Sequence, residues 1–219
     1  IHQAAGTSEG SPYTAPGEAL KMEIKMLGLV AVCLVASLGF SHGFTWSKCG
    51  SQRSDMKVTE LALSPDPLRM PGTARVTFVG STTTPLGSMN VRLKLHRLSR
   101  VLGWDVKMPI PCLFNIGSCY YKDTCTLLDR MIRENWGGVS RQVARQIRSL
   151  VQGAVGRSID RCPFPPSTIA IRNQPMQLPR IPAFFALFAS GRYQAKVEMV
   201  DPTSGQVVNC FQFQMRITT

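Results

Sequence analysis

Apolar and polar side chains alternate strictly, two by two, along several stretches of this chain, and only a sheet with one buried face satisfies that pattern. In Val91-Arg92-Leu93-Lys94-Leu95-His96 the apolar residues fall on one side and the basic ones on the other. Tyr193 to Met199 repeats the pattern with Gln194, Lys196 and Glu198 outward, and Phe211, Phe213, Met215 and Ile217 alternate with Gln212, Gln214 and Arg216. Ala74, Val76 and Phe78 form a further set. A period of two with one apolar face predicts half-buried antiparallel strands. Turn clusters punctuate them at Ser64-Pro65-Asp66-Pro67, Met70-Pro71-Gly72 and Asp201-Pro202-Thr203-Ser204-Gly205, the last joining two alternating strands as a hairpin. Many short strands with such punctuation predict a mainly β protein, a sandwich or cup, not a helical bundle.

One region departs from this period. From Thr124, Leu127, Leu128, Met131 and Ile132 share a helical face, and Gly137-Gly138 interrupts. Val139, Val143, Ile147, Leu150 and Val151 then recur at helical spacing opposite Arg141, Arg145 and Arg148. This predicts one or two short helices within 124–151, the second basic, amphipathic and about three turns long. It packs on a sheet edge with solvated arginines, or lies on an anionic membrane surface through them.

The N-terminal part reads differently. Lys21 and Lys25 precede an uncharged run from Leu27 to Phe40, followed by Ser41 and Gly43. A basic flank, a short apolar core and small residues predict a secretory signal with cleavage near Gly43, Ile1 to Lys21 being a pro-segment or read-through. The run falls short of the ~20 residues a spanning helix needs. The expected organisation is therefore 1–43 as pro-segment and signal, and 44–219 as a single domain. The net charge is +12 overall, and losing Lys21, Lys25, Glu9, Glu18 and Glu23 with the signal leaves +13. Such a field favours acidic lipid surfaces or sulfated glycans; nucleic acid is not an expected partner of an exported chain.

Seven cysteines are present, and Cys33 falls in the apolar signal core. The other six, Cys49, Cys112, Cys119, Cys125, Cys162 and Cys210, read as a disulfide framework whose fifteen possible pairings the spacing does not resolve. No Cys-x-x-Cys pair occurs and His96 is the single histidine past residue 43, so no metal site is expected. His96 stands beside Lys94 and Arg97 with no nucleophile elbow and no Gly-rich phosphate loop anywhere, so neither an enzyme nor a cofactor is expected. Two apolar stretches in loop contexts stand out instead. Ala183-Phe184-Phe185-Ala186-Leu187-Phe188 lies between Pro182 and Gly191, and Val101-Leu102-Gly103-Trp104 follows Arg97 and Arg100. Both are core material or the rim of a lipid opening.

An ordered set of motifs adds a family. Phe44-Thr45-Trp46-Ser47-Lys48-Cys49, Leu63-Ser64-Pro65-Asp66-Pro67 with Pro71-Gly72, Gly80-Ser81-Thr82 with Pro85-Leu86, Ile110-Pro111-Cys112, Ile116-Gly117-Ser118-Cys119, Cys125 with Leu127-Leu128-Asp129, Cys162-Pro163-Phe164, Leu178-Pro179 and Gly191-Arg192-Tyr193 run in sequence. Together they resemble the ganglioside GM2 activator family. The resemblance implies an ML-type fold: an antiparallel, immunoglobulin-like β-sandwich opened into a cup with an apolar lipid cavity. It also implies the pairs Cys49–Cys210, Cys112–Cys119 and Cys125–Cys162. The implied function is a non-enzymatic carrier that extracts a glycolipid or phospholipid from a membrane and presents it to a hydrolase, a lysosomal glycosidase. By that analogy Leu102, Trp104, Phe184, Phe185, Leu187 and Phe188 touch the membrane and flank the opening. On alternation, Val76, Phe78, Leu93, Leu95, Val197 and Met199 face inward as cavity wall. The family's additional cysteine pair between Cys125 and Cys162 is missing here, and 137–161 is longer and more basic. No Asn-x-Ser/Thr sequon follows residue 43, so secretion ranks slightly above delivery to the lysosomal lumen. The alternative is a secreted membrane-active or lipid-sensing effector that works through the basic helix at 139–151.

Overall fold

The computed structural model describes residues 43–50, 56–159, 162–183, 185 and 189–219, with Asp105 described by its backbone alone. These belong to the compact unit His42–Thr219. Residues 1–42, read above as targeting segment, and Phe184, Leu187 and Phe188 lie outside the described residues.

The strands are β1 (Thr45–Lys48), β2 (Met56–Ser64), β3 (Leu68–Arg69), β4 (Gly72–Thr82), β5 (Asn90–Val101) and β6 (Trp104–Pro109), then β7 (Tyr120–Tyr121). Helices α1 (Thr124–Glu134) and α2 (Ser140–Val155) follow, joined by a 3₁₀ turn at Trp136–Gly138, and β8 (Ser167–Leu178), β9 (Gly191–Val200) and β10 (Val207–Thr218) close the chain. One sheet runs β1-β10-β9-β5-β6, with β3 added to β10 and β7 to β5; the other is β2-β4-β8. Pairing is antiparallel except for β3 on β10, where Leu68 and Arg69 oppose Ile217 and Thr218 in parallel. The protein is thus the expected β-sandwich cup with two helices.

The alternating segments became β5, β9 and β10, stacked in register with Leu93 opposite Val197 and Val197 opposite Phe211. The β9–β10 hairpin turns where expected because the Asp201 carboxylate accepts from the backbone N–H groups of Thr203 and Ser204 at 2.8 and 2.7 Å. The outward assignment of Gln194 and Glu198 needs a correction in burial: both are 6% exposed. β9 is an inner strand, and long side chains from it and its neighbours fold over that face. Arg92 and Lys196 both reach the Glu198 carboxylate, at 3.2 and 2.7 Å.

Helix α1 starts at Asp123, whose side chain accepts from the Cys125 N–H. Helix α2 runs to Val155, a turn beyond the expected stop, because Gly156 at φ 68° is the first residue that supplies a left-handed cap. Gln146 of α2 donates to the Gln177 carbonyl at 2.9 Å and accepts from its N–H at 2.6 Å, so an amide side chain closes that stretch of the β8 edge. Arg148 pairs with Asp129 across the two helices, and Arg141 Nε donates to the Ile132 carbonyl that ends α1. The basic helix therefore rests on the sheet edge with two of its arginines engaged in tying the helices together.

All three implied disulfides are present: Cys49–Cys210, Cys112–Cys119 and Cys125–Cys162. The first joins β10 to the end of β1, and the third ties α1 to the chain entering β8. Val76, Phe78, Leu93, Leu95, Val197, Met199, Met215 and Ile217 are all half-buried, although their alternation points them inward. Of these, Leu95, Met215 and Ile217 border a hollow.

Candidate functional site

The hollow is a cavity of about 280 Å³ whose wall combines sheet and loops. Leu95 of β5, Tyr193 of β9 and Met215 and Ile217 of β10 supply the sheet side. Ile110, Pro111, Leu113, Ile116, Pro179, Ile181, Pro182, Phe185, Ala189 and Val139 supply the rest, with Met70 from the turn before β4. None of the described lining residues carries a charge. The single phenol, Tyr193, is 4% exposed, and burial raises its pKa above the usual 10, so it stays neutral. Such a lining suits hydrocarbon.

The loop from Ile110 to Cys119 is held rigidly against β5. Ile110 N–H donates to the Leu95 carbonyl at 2.9 Å, and Ser118 N–H to the Ile110 carbonyl at 3.0 Å. The Ser118 hydroxyl accepts from Leu95 N–H and donates to Leu95 O. Gly117, at φ 106°, lies so close to the Pro111 carbonyl that a side chain there would overlap it. The disulfide from Cys112 to Cys119 closes this loop at its base.

An apolar ramp leads from the cavity to solvent along β6. Residues Trp104, Val106, Met108 and Ile110 share one face by alternation; Ile110 lines the cavity while Val106, Met108 and Trp104 are exposed. At the far end Val101 opposes Trp104, and Leu102-Gly103 make a two-residue turn with φ of 51° and 87°. Two positive φ values define a type I′ turn, which prefers Asn-Gly or Asp-Gly. Leu102 is 94% exposed there and Trp104 is 78% exposed. Neither hydration nor backbone preference explains a leucine at that position. The same combination recurs at Phe114-Asn115, with φ of 50° and 59° between the bridged residues Leu113 and Ile116. Phe114 is exposed yet meets Phe185 edge-on at 6.5 Å beside the cavity.

Residues 43–217 match the ML domain family. The chain belongs to the ML-domain family. Segments of 90 residues are 39% identical to the ganglioside GM2 activator of Macaca fascicularis and 34% identical to that of Mus musculus, each covering 41% of this chain. The matched segment is 45% of either relative, so the similarity spans about half the length of these curated proteins. Among solved structures, a Niemann-Pick type C2 protein from Japanese carpenter ant aligns over 80% of this chain and 99% of its own, at 14% identity and a TM-score of 0.36.

Within this ML domain the residues singled out from sequence separate into three places. Leu95 and Phe185 line the cavity. Leu93, Val197 and Met199 are on the same face of the sheet farther along β5 and β9, where Val91 opposes Met199, and Val76 and Phe78 belong to the three-stranded sheet; none of the five lines the cavity. Leu102 and Trp104 stand at the hairpin tip, away from the lining. Sequence reasoning passed over Ile110 to Ile116, Pro179 to Pro182 and Phe114 as site residues. For Leu113, Phe114 and Ile116 the signal was the apolar run bracketed by Cys112 and Cys119, which has no period to announce it.

Beside the cavity, Trp136 is buried and stacks on Tyr121 at 5.3 Å. Its indole N–H donates to Glu134 and holds that carboxyl below the usual carboxylate range. Gly137, at φ 54°, brings the helix connection against Ile116 and Phe185 of the lining. The cavity wall and the helical connection are therefore in direct contact.

Proposed function

We propose that this ML domain takes a single glycolipid or phospholipid out of a membrane, carries its hydrocarbon in the cavity and offers the headgroup to a hydrolase, with no chemistry of its own. The observation that carries the reading is an uncharged cavity continuous with an apolar ramp that ends in the exposed Leu102 and Trp104. Each acyl CH₂ moved into water costs about 0.8 kcal/mol, so a sixteen-carbon chain costs about 13 kcal/mol. A carrier must offset most of that along the whole path, and the ramp supplies apolar surface where the cavity ends. The chain's net charge of +12 suits an anionic bilayer during the transient contact. Three disulfides fit a secreted protein or one of the lysosomal lumen. The names of two relatives, ganglioside GM2 activators, point the lipid towards ganglioside-like glycolipids, and the partner proposed for it is a lysosomal glycosidase.

Transfer of a fluorescent glycolipid and a fluorescent phospholipid between donor and acceptor vesicles tests this. The wild-type chain moves at least one of them, and Ala189→Trp, which fills the cavity, stops transfer while vesicle binding persists. Transfer that survives a filled cavity would refute the reading. The hydrolase step is tested separately, by whether the loaded protein raises turnover of its lipid by a lysosomal glycosidase.

A further inference from the structure

The outer face of the seven-stranded sheet carries a charge arrangement that folding does not favour. Register sets Lys94 directly opposite Lys196, and Arg192 directly opposite Arg216. Directly opposed side chains have Cβ atoms about 4.5–5.5 Å apart, where like charges destabilise. Arg92 and Lys107 are on the same face, Lys107 opposite Leu98. Arg100 opposes Asp105 in the register. Two carboxylates, Glu198 and Asp66, meet cations of this face. Glu198 takes Lys196 and Arg92, and Asp66 takes Arg216 Nε and Nη2 at 3.2 and 2.7 Å. Glu198 is itself 6% exposed, so the anion is hidden beneath the cations that neutralise it.

The face presented to solvent is therefore cationic, with amides and an imidazole between the charges. Gln212 opposes Lys196, Gln214 opposes Gln194, and His96 opposes Gln194 from the other side. A recess of about 30 Å³ opens beside Thr45, Leu98, Arg192, Gln214 and Arg216, room for about one water-sized oxygen. Helices α1 and α2 pack on each other, and α2 packs on β8, at the other sheet.

We propose that this face binds a sulfated polysaccharide. Same-face residues recur every ~6.8 Å along a strand and every ~4.8 Å between strands. Both spacings are shorter than the ~8 Å screening length at physiological salt, so the cations act as one field on a polymer with closely spaced anions. Amide side chains and a hydroxyl suit sugar and sulfate oxygens. A bilayer fits this face less well, since the exposed apolar side chains Trp104, Val106 and Met108 project from the opposite side of β6. Nucleic acid would use aromatic platforms, and at this face Tyr120 lies beneath the Arg92 guanidinium, 5.8 Å from its ring centre. The proposal is independent of the lipid-carrier reading.

The test uses the disulfide-intact protein, heparin as probe, and titration at several salt concentrations. Wild type binds heparin with an affinity that falls steeply with salt. Lys94→Glu with Lys107→Glu lowers heparin affinity by about tenfold or more at 0.15 M salt and flattens the salt dependence, while lipid transfer is unchanged. Lys94→Glu places a carboxylate opposite Lys196, so the fold is expected to hold, and circular dichroism checks it. Arg133→Glu with Arg145→Glu, exposed on the two helices, leaves heparin binding within about twofold. The proposal is overturned if the helix variant and not the sheet variant loses heparin, or if desulfated heparin binds as well as heparin. It is equally overturned if the sheet variant loses phosphatidylserine vesicles while keeping heparin, or if wild type ignores heparin altogether.

Discussion

Replacing Leu102 with asparagine separates folding from membrane contact, because the two respond in opposite directions. Leu102 occupies a left-handed turn position at φ 51° with nearly its whole side chain in water. A left-handed conformation costs an ordinary L-residue roughly 1–2 kcal/mol, and asparagine visits it readily. Leu102→Asn should therefore raise unfolding free energy by about 1 kcal/mol, or Tm by about 2–4 °C for a domain of this size. Burying a leucine side chain in hydrocarbon contributes about 1.5–3 kcal/mol. With 94% of it available, the variant should lose about 2 kcal/mol of partitioning, a fall of about thirtyfold in the vesicle binding constant. Sedimentation with sucrose-loaded vesicles reads the binding, and thermal unfolding of the same preparation reads the stability. Unchanged partitioning would remove the hairpin from the membrane step. A matching drop in stability would mean that the leucine is structural and the argument from its turn position is wrong.

Gly137→Ala and Gly138→Ala form a matched pair. Both glycines have positive φ, but a Cβ on Gly137 would overlap Ile116 and approach Phe185 to 3.1 Å, whereas one on Gly138 meets nothing within 4 Å. Both variants should lose roughly 1 kcal/mol through the backbone, and only Gly137→Ala should also lower lipid capacity; equal lipid loading in the two would refute the contact. Hydrogen bonding to Lys196, and the charges of Lys196 and Lys94, hold the Glu198 carboxyl below its usual range despite its burial. That stabilisation is fully present above the unfolded value of about 4.3 and is lost as pH falls through the lowered folded value. Glu198→Gln should thus be less stable at pH 7, with the gap closing below about pH 4; a gap that widens in acid would contradict it. On loop entropy, Cys49→Ser with Cys210→Ser, a separation of 161 residues, should cost roughly 5 kcal/mol, and Cys112→Ser with Cys119→Ser, a separation of 7, roughly 2.5 kcal/mol. Lipid binding should rank the two the other way, since the short loop lines the cavity, and denaturant titration with lipid loading checks both orders.

The strands that make the cup were legible because alternation reports which face of a strand meets water. Val91–His96, Tyr193–Met199 and Phe211–Ile217 fixed β5, β9 and β10 and put Leu95, Tyr193, Met215 and Ile217 on one side. Alternation does not report how far apart two inward faces stand. Leu93 and Leu95 look the same in sequence, yet Leu95 alone lines the cavity. Nor does it separate outward from exposed, as Glu198 on an inner strand demonstrates. The loop half of the wall has no period at all. Ile110 to Ile116 and Pro179 to Pro182 become site residues only because hydrogen bonds to Leu95, a disulfide and the return of the chain from β8 bring them over the open end. The exposed tips Leu102 and Phe114 carried a sequence signal of another kind, a large apolar residue immediately before Gly or Asn in a turn.

Native mass spectrometry of the disulfide-intact protein after incubation with mixed glycolipid and phospholipid vesicles tests the carrier function most directly. A one-to-one lipid adduct that is lost in Ala189→Trp is the predicted result, and extraction of that adduct identifies the headgroup class. Protein that stays unloaded at neutral and at acid pH, or an adduct that persists with the cavity filled, would contradict it.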